Sequence, residues 1–117
     1  MSGYSDTEIA QMVHETLRVW AEVRDLDALP SWGDAPQWMQ ESTLDSVRYV
    51  LEHPHADGAR QHEQWLSKKT ADGWCWGETK DPDKKTHPLM VPYDELPNDE
   101  KAKDAILNGI VRSLANI

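Results

Sequence analysis

The sequence predicts a mainly α-helical fold: four helices in one small domain, with a short β-hairpin or an extended aromatic loop between the third helix and the fourth. Three observations carry this. Apolar residues recur at helical spacing in four separate stretches. Those stretches are bounded by recognisable capping and stop signals. One further stretch, Gly73 to Tyr93, breaks the helical pattern with Gly-Trp-Cys-Trp-Gly, a charged Pro-containing turn, and an apolar run bracketed by His87-Pro88 and Pro92-Tyr93.

The first helix is expected from about Asp6 to Arg24. Ser5 and Glu8 have the spacing of a capping box, and Ile9, Val13, Leu17 and Trp20 fall on one face. Pro30 and Gly33 then make a loop that presents Trp32. A second helix is expected after Asp34 as cap, with Pro36 in its first turn, where a missing amide hydrogen does no harm. Leu44, Val47 and Leu51 mark its buried face, Val50 lies beside it, and Pro54 ends it near His53. Trp38 sits in its opening turn, at the unexposed or ligand-facing end. Asp57 is the expected cap of a third helix, about Ala59 to Ala71, which carries His62, Trp65, Leu66 and Lys69 on one face and stops at Gly73. The last helix should run from about Asn98 to Ala115. Its expected buried stripe is Ala102, Ile106, Ile110 and Leu114, with Gly109 permitting a close approach. His14-Glu15 leading to Glu41 and Asp45 is echoed by His62-Glu63 leading to Glu100 and Asp104. The two offsets differ, so any internal duplication would make the aromatic loop an insertion in its second copy.

The composition bounds the function. At 117 residues the chain suits one domain, and its 38% hydrophobic and 28% charged residues are those of an ordinary soluble protein. No run is long and apolar enough to span a membrane, and the start lacks the regions of a secretory signal. With a lone Cys75 no internal disulfide can form, and the expected compartment is the cytoplasm. A net charge of −9 argues against nucleic acid polymers and anionic lipid as partners. That charge is uneven: Arg60 to His87 carries six cations and five acids, so the aromatic loop lies in the least acidic part of the chain.

In an extended segment Trp74 and Trp76 would point the same way, forming a small aromatic platform for a flat ring. The structural reading of the same rings is packing, because six Trp and no Phe leave Trp to fill much of the core. Lys80, Lys84 and Lys85 could meet phosphate or simply be solvated, and Asp81 with Lys85 could form a salt bridge that shapes the loop. His62 is expected to hydrogen-bond across the helix packing and His87 to fix its turn. No metal-ligand spacing is present, and Cys75 between indoles lacks the setting of a nucleophile. No catalytic residue, metal or cofactor is therefore assigned.

Gly73-Trp74-x-Trp76-Gly77, Asp81 with Lys85, His87-Pro88-x-x-x-Pro92-Tyr93-x-x-Leu96 and Glu100-Lys101-x-x-Asp104, together with His62-x-x-Trp65, resemble the ryanodine receptor repeat (RyR) domain. The resemblance covers roughly Ser31 to the C-terminus. Residues 1–30 then read as an N-terminal helix and linker, and 31–117 as the RyR-repeat-like domain, packed together as a single globular unit. Trp76 stands where the family usually has Tyr, which keeps a stacking role and removes a hydroxyl. The resemblance implies a small helical unit with an aromatic-bearing loop. For a lone domain of the prokaryotic or phage type, it implies a non-enzymatic module that senses or sequesters a small nucleotide-derived ligand, paired as a homodimer. The implied ligand-binding residues are Trp74 and Trp76 as stacking surface, Trp65, Trp32 and Trp38 as walls, Lys85 toward phosphate, and His87 and Tyr93 as shaping residues. The alternative is a protein-interaction or structural module without a small-molecule ligand.

Overall fold

Four amphipathic segments bury their apolar faces against one another, and the resulting architecture is mainly helical. The computed structural model describes residues 3–116. Its elements are α1 (Asp6–Val23), a 3-10 turn (Trp32–Asp34), α2 (Gln37–Glu52), α3 (Gly58–Ala71), β1 (Cys75–Trp76), β2 (Thr86–His87), a second 3-10 turn (Tyr93–Glu95) and α4 (Asn98–Ala115). The capping box forms at α1: Ser5 Oγ accepts from the Glu8 amide, and the Glu8 carboxylate accepts from the Ser5 amide. Asp57 caps α3 by accepting from the Arg60 amide.

The core lies where α1, α2 and α4 meet. Ile9, Ala10, Val13, Val47, Val50, Leu107 and Val111 are buried there, with Leu17, Trp32, Leu44, Leu51, Ile110 and Leu114 packed around them. The stripe on α4 is therefore turned from the expected one: Leu107 and Val111 face inward, while Ile106 and Ile110 stand at its edge. Gly109 is exposed, and nothing lies within 4 Å of where its Cβ would be. The spacing of Ile106, Ile110 and Leu114 defines a face, but the joint position of α1 and α2 decides which neighbouring face is covered. At α2 the cap also differs from expectation. Pro36 occupies the N-cap position, and Asp34 lies in the 3-10 turn, where its carboxylate accepts from Ser31 Oγ.

Both halves of the chain enter their second helix through the same backbone hinge. Ser31, Trp32, Ala35 and Pro36 are repeated in conformation by Pro92, Tyr93, Leu96 and Pro97, and the two N-cap prolines have φ, ψ of −61°, 153° and −59°, 154°. Each hinge is held by a buried histidine from the preceding helix. His14 Nε2 donates to the Pro30 carbonyl at 2.7 Å, and His62 Nε2 donates to the Val91 carbonyl at 2.7 Å. The histidine half of the sequence echo thus corresponds in structure. Its acidic half does not, because the hinge register sets Met39 and Thr43, not Glu41 and Asp45, in the places of Glu100 and Asp104.

The aromatic loop is not a hairpin. β1 and β2 pair in parallel, with Cys75 opposite Thr86 and Trp76 opposite His87. Between them the chain reverses over Asp81 to Thr86, which pair as an antiparallel bridge. The Asp81 carboxylate accepts from the amides of Asp83 and Lys84, an Asx turn, and Lys85 adopts the left-handed φ of 56°. Gly77 is required where the strands meet, since a Cβ there would lie 2.5 Å from Thr86 Cβ.

Replacing His62 by Ala removes the Val91 hydrogen bond and leaves a partly buried carbonyl without its partner, a loss of about 1–3 kcal/mol. A fall in unfolding free energy of that order is expected from urea titration, with His62→Gln recovering part of it; a midpoint unchanged by His62→Ala would show that the hinge does not depend on the clamp.

Candidate functional site

The sharp end of α3 builds the site. Gly73, at φ 91°, ends the helix with paired bonds from the Gly73 amide to the Thr70 carbonyl and from the Trp74 amide to the Lys69 carbonyl, the Schellman arrangement. Trp74 is thereby folded back under the helix end and is only 9% exposed. Its ring centroid lies 6.1 Å from that of Trp38, at an interplanar angle of 45°. The Lys69 ammonium sits over both indoles, 4.9 Å from Trp74 and 5.2 Å from Trp38, and Lys80 approaches Trp38 at 5.0 Å. Burial against these rings disfavours the charged form of Lys69 and lowers its pKa, and Asp72 and Asp45 oppose the shift.

A cavity of about 340 Å³ opens beside this cluster. From α2 it receives Trp38, Glu41, Ser42, Asp45 and Ser46; from α3 Gln64, Trp65, Lys68 and Lys69; and from the loop Asp72, Trp74, Pro82 and Lys85. Its three lysines are matched by three acids. Lys68 pairs with Asp45 at 3.2 Å, and Lys85 Nζ donates to the Asp72 carbonyl at 2.7 Å, where the negative end of the α3 dipole favours a cation. Lys85 therefore ties the loop to α3, and the alternative role, a salt bridge with Asp81, is not the one it takes.

Of the eight residues singled out in the sequence, Trp38, Trp65, Trp74 and Lys85 meet in this cavity. Trp76 does not line it. It stands 55% exposed on β1, so the two loop indoles do not form one platform, because Trp74 belongs to the end of a helix and only Trp76 to a strand. Trp32 is packed against the core and lies edge-on to His14 at 5.6 Å. Tyr93 packs over α3, its hydroxyl 3.0 Å from where a Gly58 Cβ would be, and Lys101 Nζ lies over its ring. The serines of α2 were not singled out, and its acids Glu41 and Asp45 entered only as half of the sequence echo. Trp38, Ser42, Asp45 and Ser46 do recur at one-turn spacing, a polar stripe headed by an indole that the search for apolar faces passes over.

His87 borders a second cavity, of about 210 Å³, with His62, Trp65, Leu89, Glu100, Lys103 and Asp104 among its walls. Trp65 and Ser46 line both cavities. His87 Nδ1 accepts from the Leu89 amide at 3.1 Å, which fixes the turn and places the proton of the neutral ring on Nε2. Burial, and then the charges of Lys80, Lys69, Lys103 and His62, push the His87 pKa down to about 4. Burial and the Glu100 charge push the Asp104 carboxyl up to about 7, against an opposing pull from Lys103.

Compared with known families, residues 35–115 match the family model described as the RyR domain. The matched span takes in α2, α3, the aromatic loop and all of α4. It leaves out α1, although α1 supplies Ile9, Ala10 and Val13 to the core.

The two shifted groups act oppositely on stability. Between pH 6.5 and about 4 the unfolded chain protonates His87 and the folded one resists, so this group costs stability as pH falls. Between pH 3.8 and about 7 the unfolded chain ionises Asp104 and the folded one resists, so this group costs stability as pH rises. Asp104→Asn should therefore give a urea midpoint that climbs more steeply than wild type from pH 4 to 6.5, and His87→Asn one that climbs less steeply; profiles parallel to wild type in both variants would contradict the assignment.

Proposed function

The chain belongs to the RyR domain family, and on that footing we propose that it is a non-enzymatic binding module that senses or sequesters a small nucleotide-derived ligand in the larger cavity. The observation that supports this reading is the meeting of Trp38, Trp65 and Trp74 with Lys68, Lys69 and Lys85 around one opening. Aromatic faces stack on any base, for about 1–3 kcal/mol per base, and ammonium groups meet phosphate as point charges.

The geometry narrows the ligand. Trp38 and Trp74 are too close and too tilted to take a ring between them, so a base stacks on an outer face or displaces the Lys69 ammonium. A volume of about 340 Å³ lies near the lower end of the roughly 300–1,000 Å³ typical of ligand pockets, which suits one base and sugar better than a dinucleotide. Glu41, Asp45 and Asp72 can accept from base amino groups or ribose hydroxyls, and they offset the lysines, which favours a ligand with few phosphates.

The non-enzymatic reading draws on how the reactive side chains are used. The His14 and His62 rings are tied to main-chain carbonyls, and Cys75 is exposed rather than placed in the cavity. A homodimer in the cytoplasm is the setting this reading expects. Among the described residues no helix is long and apolar enough to cross a membrane. The exposed Trp76 favours the second reading, a protein-interaction module, since a large indole in water is suited to docking on a partner.

Titration with adenine nucleotides should change the intrinsic Trp emission. Trp38→Ala and Trp74→Ala should each weaken binding by on the order of tenfold to a hundredfold, with circular dichroism confirming that the variants fold, while Trp76→Ala leaves it intact. Unaltered emission at saturating nucleotide would remove the nucleotide reading, and loss of a protein partner on Trp76→Ala would support the alternative.

A further inference from the structure

The second cavity carries chemistry that the nucleotide reading does not use. Asp104 lines it, and among the described residues no donor meets the Asp104 carboxylate. Lys103 is engaged elsewhere, donating to Glu100 at 3.0 Å. With Asp104 ionised, Glu100, Lys103 and Asp104 leave one negative charge in excess at this end of the cavity. His87 is not its counter-ion, because burial and the Lys80, Lys69 and Lys103 charges keep that ring neutral above about pH 4. His62 also borders the space, but its Nε2 is committed to the Val91 carbonyl. The remaining walls are mostly apolar, Leu17, Leu89, Leu96, Leu107 and the Trp65 ring, with Ser46 and Gln61 as polar members.

The Asp104 carboxylate is partly buried yet still reaches water, so an ammonium can approach it, and a charge-assisted hydrogen bond there supplies the partner it lacks. We propose that this cavity is a binding site for a small organic cation, a primary amine with an apolar body, whose ammonium is held by Asp104 while the leucines and Trp65 cover the remainder. At about 210 Å³ it lies below the range of roughly 300–1,000 Å³ usual for larger ligands, so the occupant is smaller than a nucleotide. The site is separate from the one in the larger cavity and does not depend on it.

Butylammonium and 1-butanol, titrated into the full chain at pH 8, share a body and differ in the charged head. Amide shifts at Leu89, Asp104 and Leu107 should saturate with the amine and respond far more weakly to the alcohol. Asp104→Asn should weaken the amine by roughly tenfold to a hundredfold, as expected for loss of a hydrogen bond to a charged group, while Trp38→Ala leaves it unchanged. Affinity should rise with pH through about 7, where Asp104 ionises, and that rise should vanish in Asp104→Asn. The unaltered protein supplies a direct readout: saturating amine should move the Asp104 carboxyl carbon titration to lower pH. Equal binding of alcohol and amine, no saturable response, or an Asp104 titration unmoved by the amine would each overturn the proposal.

Discussion

The interaction on which the rest depends is a buried imidazole donating to a main-chain carbonyl, made twice. Each bond pins the extended chain that precedes a proline-capped helix onto the helix before it. His14 draws Pro30 onto α1, and His62 draws Val91 onto α3. A buried, fully made hydrogen bond is worth modestly more than its competition with water, but an unmade one is expensive, so these two bonds leave the hinges little freedom. The second clamp matters more for chemistry. It brings the aromatic loop back against α3 and sets Tyr93 over Gly58.

From that placement follows a division of the aromatic side chains. Trp32 and Trp74 are both drawn inward, the first into the three-helix core, the second under the end of α3. Trp65 stands between two cavities of different character. The larger has indoles and paired charges on its walls; the smaller has leucines and an unpaired carboxylate. Matched lysines and acids make the larger tolerant of a weakly charged ligand, whereas the smaller carries an uncompensated field. Two sites on either side of one ring can therefore differ in ligand without competing for it.

The chain's strong negative charge shapes both sites only indirectly. Screening by salt weakens distant charges to little beyond about 10 Å, so the local groups decide. Lys69 is the clearest case. It lies on the helix face that also carries Trp65, and its ammonium fills the gap between two indoles that would otherwise face water.

Much of the fold was legible in order. The capping box at Ser5 and Glu8, the Asp57 cap, the glycine stop at Gly73 and the limits of the last helix depend on bonds between near neighbours, and near neighbours are written side by side. The family could also be read there, from Trp74, His87, Tyr93 and Asp104 at their spacings. Other features were decided only by packing. The inward face of α4 is Leu107 and Val111 because those side chains meet both α1 and α2 in the core. The strands run parallel because an Asx turn at Asp81 and a left-handed Lys85 reverse the chain once more than a hairpin would. Trp74 parts from Trp76 because one closes a helix and the other opens a strand. The sequence by itself determined the helices, their caps and the family, since each rests on local hydrogen bonding and periodicity. Tertiary structure alone decided which indoles share a cavity and which acid of the smaller cavity meets no donor among the described residues, since those depend on the distance between helices that no spacing along the chain records.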